Sequence, residues 1–316
     1  MLRLVIRRLV YSVLLLVLVP TLTFFLEAVV PGNVGQEILG YNASPEQIQK
    51  LNQSFGLARP IYEQYGSWLV QALHGNLGRS YFTNQSVTSI LATRLPVSLS
   101  LIIPSVLLAT IFGVGLGLVA GLEASNRGWF RHSIDVVAIG GMAIPGYWLA
   151  IVLVIFFSVH LHLFPAVGYV SPNSSITGWS RSLVLPVVAL SVGLVTGIAK
   201  QTREQVSSIM SSDFVRSLRA RGLGTRSILL RHVLRAGSVP ILTVIGLSCV
   251  GALTASVFIE SVFSLPGLGS AIVIAATEHD IPVILGVAVC FTVIVIVINL
   301  SIDLLYGLAD PRSRDT

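Results

Sequence analysis

The sequence predicts an all-α polytopic membrane protein with six transmembrane helices and both termini in the cytoplasm. Three observations carry that prediction. The 316 residues are 53% hydrophobic but only 11% charged, with a mean hydropathy of +0.84, and an ordinary soluble surface needs far more Lys, Arg, Asp and Glu. Six stretches reach the roughly 20 apolar residues that cross a hydrocarbon core. The basic residues fall mostly on one side of those stretches.

The spans are read at 9–30, 97–122, 134–159, 183–206, 239–262 and 282–308. The first follows Arg3, Arg7 and Arg8 and resembles a signal peptide, but it is longer than a typical signal core, so retention is favoured over cleavage. An N-terminus in the cytoplasm places those arginines, Arg127, Arg131, the run from Lys200 to Arg235, Arg312 and Arg314 inside. Only Lys50, Arg59, Arg79, Arg94 and Arg181 are then left outside. The reverse orientation breaks the positive-inside bias. An even number of spans returns the C-terminus to the cytoplasm. The chain thus divides into residues 1–30, an outer helical region 31–96, and a core 97–316 that carries a cytoplasmic hairpin at 212–237.

The outer connection is too long for a structureless loop, and it carries helix punctuation. Ser44 with Pro45 and Gln47 offers an N-cap, a first-turn proline and a capping-box partner, and Gly56 offers a stop. Ile61, Tyr65, Trp68 and Ala72 recur at helical spacing before His74 and Gly75. A third piece, SVTSILATRLP, is expected to lie along the membrane surface before Pro96 turns the chain inward. Docking of a partner and packing on the protein's own bundle remain equally open for this region.

The segment DFVRSLRARGLGTRSILLRHVLRAGSVP lies between the fourth and fifth predicted spans. Ser212 or Asp213 is positioned to cap a first helix, Gly222-Leu223-Gly224 to break it and Thr225 to cap a second. Gly237 and Pro240 reset the chain for the next span. On the second helix Ile228, Leu229 and Val233 alternate with Arg226, Arg231 and Arg235, which gives an apolar and a basic side. Holding a loop inside needs two or three cations; eight Lys and Arg from Lys200 to Arg235, with glycines at a defined turn, fit a docking element better. Its place between two spans argues against a nucleic-acid reader.

Catalytic signatures are missing. The only lysines, Lys50 and Lys200, follow Gln49 and Ala199, so no Gly-Lys-Ser/Thr phosphate loop exists. There is no HExxH helix and no GxSxG elbow. His160 and His162 read as interfacial residues, and the lone Cys249 and Cys290 as small apolar side chains, so no metal site is expected. Glu27, Asp135, Glu260 and Asp303 fall near span ends, where side chains reach the interface. Gly113, Gly115, Gly117, Gly140, Gly141, Gly193 and Gly197 are expected to permit close helix packing.

At these residues the sequence resembles the cytoplasmic signature of ABC-importer permeases, in particular the B-type subunit of the dipeptide/oligopeptide family. Phe214-Val215-Arg216, Arg219-Ala220-Arg221-Gly222, His232-Val233-Leu234-Arg235 and Pro240 match in order and spacing. Arg216 stands where other importers carry an acidic residue, and Leu218 where a small one is frequent. FGLARPIYEQYGSWLVQALHGNLGRSY resembles the family's first outer loop, FSLPGLG at 263–269 its motif after the fifth span, and DLLYGLADPR at 303–312 its ending.

The resemblance implies a type I ABC importer permease fold in the prokaryotic plasma membrane. This chain is then half of a pathway completed by a second, homologous permease. Two cytoplasmic ATPase subunits bind the ATP and Mg, so this chain needs no cofactor, and an extracytoplasmic binding protein delivers short peptides. On the same resemblance, Phe214, Arg216, Ser217, Arg219, Ala220, Arg221, Gly222 and Leu223 form the helix that seats on one ATPase. The substrate-binding residues are not identified by it. The alternative is a secondary carrier driven by an ion gradient. Such a carrier is expected to show an internal repeat with broken helices, and no convincing repeat links the two halves.

Overall fold

The computed structural model describes residues 2–40, 42–123 and 144–309. These form helices and turns with no β-strand among the described residues; Arg79 and Ser86 make an isolated bridge. The helices in chain order are α1 (Leu2–Val29), α2 (Val34–Leu39), α3 (Pro45–Ser54), α4 (Ile61–Leu73) and α5 (Val87–Glu123). There follow α6 (Gly146–His160), α7 (Ile176–Met210), α8 (Asp213–Ala220), α9 (225–236), α10 (Ser238–Val262), α11 (Leu268–Glu278) and α12 (Ile281–Ala309). Five of them are long and apolar enough to cross a membrane: α1, α5, α7, α10 and α12. Residues 134–143 of the predicted third span, with Asp135, Gly140 and Gly141, lie outside the described residues. So do Arg127, Arg131, Arg312 and Arg314.

The chain divides into two compact units. One combines Leu2–Ser98 with Pro266–Ile296. Its core gathers Val87 and Ile90 with Leu268, Ala271 and Ala275 of α11 and Val283, Ile284 and Val287 of α12. The Leu268 N–H opens α11 without an intrahelical acceptor, and Ser98 Oγ supplies one at 2.8 Å. In the outer region Ser44 and Gln47 close the expected capping box ahead of α3, and Gly56 and Gly75 take positive φ after α3 and α4. Two features differ from expectation. A short helix, α2, precedes α3 and is capped by the Asn33 side chain. The SVTSILATRLP piece is the beginning of α5, which continues unbroken through Pro96 and Pro104. Proline is tolerated inside spanning helices because neighbouring groups take up the freed backbone polar atoms.

The other unit combines Leu99–Leu265 with Val297–Thr316. Here α7 is the central element, packed on α6 and α10, with Leu183, Leu185, Ala189, Leu190 and Ile198 buried. The glycine spacing in α5 produces a close approach to α7. A Cβ on Gly113, Gly117 or Gly121 would meet Ile198 at 2.8 Å, Thr202 at 2.5 Å or Val206 at 2.6 Å. Those glycines recur every four residues, as do their partners, which is the signature of one helix face on another. By contrast Gly115, Gly193 and Gly197 face open space, so they do not serve the packing role assigned to them from sequence. At its other side α10 receives α12, with Ile302 against Gly246 and the Thr243 and Tyr306 hydroxyls hydrogen-bonded at 2.7 Å.

Candidate functional site

The arginine-rich segment folds as a hairpin in the second unit. Helix α8 is short and amphipathic, with Val215 and Leu218 buried and Phe214, Arg216, Ser217, Arg219 and Ala220 exposed. Val215, Leu218, Ile228, Leu229 and Val233 join Val206 in an apolar cluster, against which Leu118 and Leu122 of α5 and Ile209 and Met210 of α7 also pack. The hairpin therefore sits on the ends of two spanning helices through an apolar base. Burial of that base is what holds it, since each fully buried aliphatic side chain contributes about 1.5–3 kcal/mol.

The turn is a Schellman motif. Arg221 closes α8, Gly222 takes φ +82°, the Gly222 N–H donates to Arg219 O at 2.9 Å, and the Leu223 N–H donates to Leu218 O at 3.3 Å. Gly222 suits this position because the left-handed conformation costs most residues with a Cβ about 1–2 kcal/mol, Asn being the usual exception. Leu223, half-buried, packs on the same apolar cluster, which fixes the angle at which the chain leaves the turn.

After the turn, residues 225–236 form one helical stretch with a π-helical centre, Ile228–Val233. The wider π turn accommodates Ile228, Leu229 and Val233 all on the buried side. Single π turns of this kind recur at functional sites. Nothing in the local residue pattern announces this one. Two caps differ from the sequence reading. The Ser212 hydroxyl donates back to Ile209 O at 2.6 Å and Asp213 pairs with Arg216 at 3.0 Å, so neither side chain caps α8. Gly224, not Thr225, is the N-cap of the second arm.

The electrostatics are one-sided. Residues 213–236 hold six arginines against one acid, Asp213. The Asp213–Arg216 pair is almost fully solvated and carries little stabilisation. Arg219, Arg221, Arg226, Arg231 and Arg235 are exposed. Amid these cations two apolar side chains stand half out of the protein: Phe214, edge-on to His232 at 6.2 Å, and Leu230. Of the residues expected to contact a partner, the structure exposes Phe214, Arg216, Ser217, Arg219, Ala220, Arg221 and Gly222 on one short stretch. Leu223 instead belongs to the base.

Glu260 departs from the sequence reading: it is fully buried in α10 instead of reaching the interface. His160 is exposed and its Nδ1 lies 2.8 Å from Ile155 O. No group of three metal-ligating side chains occurs among the described residues. Cys249 and Cys290 are free and half-buried. Sequence reasoning missed Asp280, an acid 2% exposed at the start of α12, where its carboxylate accepts from Ser80 and from the Tyr81 N–H.

Helices long and apolar enough to cross a membrane, with a cation-rich hairpin packed on the ends of two of them, define a polytopic membrane protein. The chain belongs to the family of binding-protein-dependent transport system inner membrane components, whose sequence profile matches residues 113–315. The profile of that family's N-terminal region matches residues 1–102. A peptide transport system permease protein of Brucella abortus is 36% identical, with 98% of each chain covered. The oligopeptide transport system permease protein OppB of Escherichia coli is 33% identical, over 99% of this chain and all of the relative. The dipeptide transport system permease protein DppB of Lactococcus lactis is 31% identical with the same coverage. A chain of the inward-facing MetNI methionine ABC transporter superposes with a TM-score of 0.56 at 16% identity, over 71% of this chain and 97% of that one. That last likeness is one of fold. The chain is thus a transport permease of the inner membrane.

Proposed function

We propose that this chain is half of the translocation pathway of an ATP-driven importer of short peptides, with six spans and both termini in the cytoplasm. A second, homologous permease completes the pathway, two cytoplasmic ATPase subunits hold the ATP and Mg, and an extracytoplasmic binding protein delivers the peptide. The observation that carries this reading is the hairpin: an apolar base on α5 and α7, and an outer face of Phe214, Arg219, Ala220 and Arg221 around the Gly222 turn. Peptide as cargo rests on the names of full-length relatives.

Mechanism follows from the rigidity of the hairpin. ATP binding draws the two ATPases together, and the hairpin, fixed to α5 and α7 by buried side chains, passes that movement to the spans. Two states within a few kcal/mol are then biased by nucleotide and by the loaded binding protein. The test is purification of the tagged chain from its native membrane in mild detergent, followed by identification of co-purifying proteins and reconstitution of peptide uptake. A second permease, P-loop ATPases and ATP-dependent uptake are expected. Recovery of the chain alone, with uptake abolished by an uncoupler at constant ATP, would overturn the reading in favour of an ion-driven carrier.

A further inference from the structure

We propose that helix α4 lies in the membrane interface, with its exposed apolar stripe of Tyr62, Val70 and Leu73 against lipid. The placement rests on α1, whose apolar span is Val10–Val29. Helix α4 does not sit beyond the end of that span but alongside it. The Tyr65 hydroxyl is hydrogen-bonded to Thr21 Oγ1 at 2.5 Å, and its ring lies 5.2 Å from Phe24 and 5.9 Å from Phe25. At 1.5 Å per residue Thr21 is about 12 Å back from Val29 along the helix, so α4 is held beside the last few turns of the apolar segment.

The faces of α4 fit that position. At about 100° per residue, Tyr65, Trp68 and Ala72 fall on the side turned to α1, and all three are half-buried. Tyr62, Gly66, Val70 and Leu73 fall on a neighbouring stripe, where Tyr62 is 70% exposed, Val70 57% and Leu73 78%. Glu63, Ser67, Gln71 and His74 occupy a third stripe, also exposed. One side thus meets protein, one is apolar and one is polar, the division expected of a helix lying flat where hydrocarbon gives way to water. The apolar stripe is continuous in kind with the exposed Leu22, Phe25, Leu26 and Val29 of α1, a surface that has lipid as its solvent. Tyr62, Tyr65 and Trp68 are the aromatic residues enriched at that boundary. Trp68 Nε1 donates to Leu77 O at 3.3 Å, and its ring stacks on Tyr65 at 5.9 Å on the side turned to α1.

The test is a nitroxide scan along α4 in the complete complex, reconstituted in lipid, with Cys249→Ala and Cys290→Ala as the background. Nitroxides at positions 62, 70 and 73 are expected to relax severalfold more with oxygen than with a water-soluble nickel chelate, and those at 63, 67 and 71 to show the reverse. Equal access of the chelate to both stripes would overturn the proposal, as would protection of 62, 70 and 73 from both reagents, which means that protein covers them. The unsubstituted complex provides a second measurement: a phospholipid with a diazirine high on its acyl chain is expected to label residues 62–73. Labelling of α1 without α4 would refute the placement.

Discussion

The Ser80 hydroxyl donates to Asp280 Oδ2 at 2.5 Å, joining residues 200 positions apart. The same carboxylate accepts from the Tyr81 N–H at 3.2 Å, so one buried acid ties the turn after α4 to the start of α12. Burial pushes the Asp280 carboxyl above the ordinary carboxylate range, and the hydrogen bonds from Ser80 and from the backbone of Tyr81, Val283 and Phe82 offset only part of that. Burial, then the neighbouring Asp280, pushes the Tyr81 phenol up to about 12.

A pH dependence of stability follows. The folded protein holds the Asp280 proton more tightly than the unfolded chain does. Its contribution is therefore fully present below the unfolded carboxylate value and is lost as pH rises through the folded one. Asp280→Asn, which cannot ionise, is expected to remove this component from a plot of melting temperature against pH in detergent. Parallel plots for the two proteins would contradict it. Asp280→Ala strands the Ser80 hydroxyl and the Tyr81 N–H and is expected to cost about 1–3 kcal/mol for each buried donor left unpaired.

Gly222 offers a test that separates conformation from crowding. A Cβ there meets nothing within 4 Å, yet φ is +82°, so any penalty comes from the backbone alone. Gly222→Asn, which tolerates the left-handed region, is expected to keep most of the uptake. Gly222→Val, β-branched, is expected to lose it while the protein still inserts and its apolar base survives. Equal activity of the two variants in a proteoliposome uptake assay would show that the turn is not needed in this form.

Charge reversal probes the outer face. Arg219 and Arg221 are exposed, and among the described residues no hydrogen bond or ion pair of their side chains is seen. Arg219→Glu with Arg221→Glu is therefore expected to leave the unfolding free energy within about 0.5 kcal/mol of the parent, as for most surface changes. Co-purification of ATPase subunits and peptide-stimulated ATP hydrolysis are both expected to fall by at least tenfold. A change confined to the rate of peptide release would instead place these arginines away from the ATPase contact.

Much of this was legible in the residues because the signals are local. Ser44 and Gln47 form the capping box their spacing predicts, and Ile228, Leu229 and Val233 turn inward while Arg226, Arg231 and Arg235 turn outward. Signals that depend on distant partners were not legible. Asp280 looks like any acid at the end of a span until Ser80 arrives from 200 residues away. Pro96 reads as a break, but the environment of a spanning helix accepts it. Leu223 is written into the exposed signature, whereas the Schellman geometry commits it to the base. Glycines show the same divide: spacing marks α5 as a close-packing helix, but only the partner helix decides which of them matter.

That division yields a paired test on α5. Gly117 and Gly115 are two residues apart on one helix, so a substitution at either changes helix propensity and hydrophobicity almost equally. Their surroundings differ. A Cβ at 117 would come within 2.5 Å of Thr202 Cβ and 2.7 Å of the Ala199 carbonyl oxygen, whereas one at 115 meets nothing. Backbone cannot move aside as a flexible side chain does, so α5 and α7 must separate to admit the new atoms. Gly117→Val is expected to cost about 1–3 kcal/mol, the range for overpacking, and to lower the melting temperature in detergent. Gly115→Val is expected to leave it close to the parent. Since the hairpin's base rests on Leu118 and Leu122 of α5 and Ile209 and Met210 of α7, separation of the two helices also loosens its seat. Gly117→Val should therefore lose ATPase co-purification along with stability, while Gly115→Val keeps both. The opposite order, with the 115 variant the weaker, would mean that α5 presents its other face to α7.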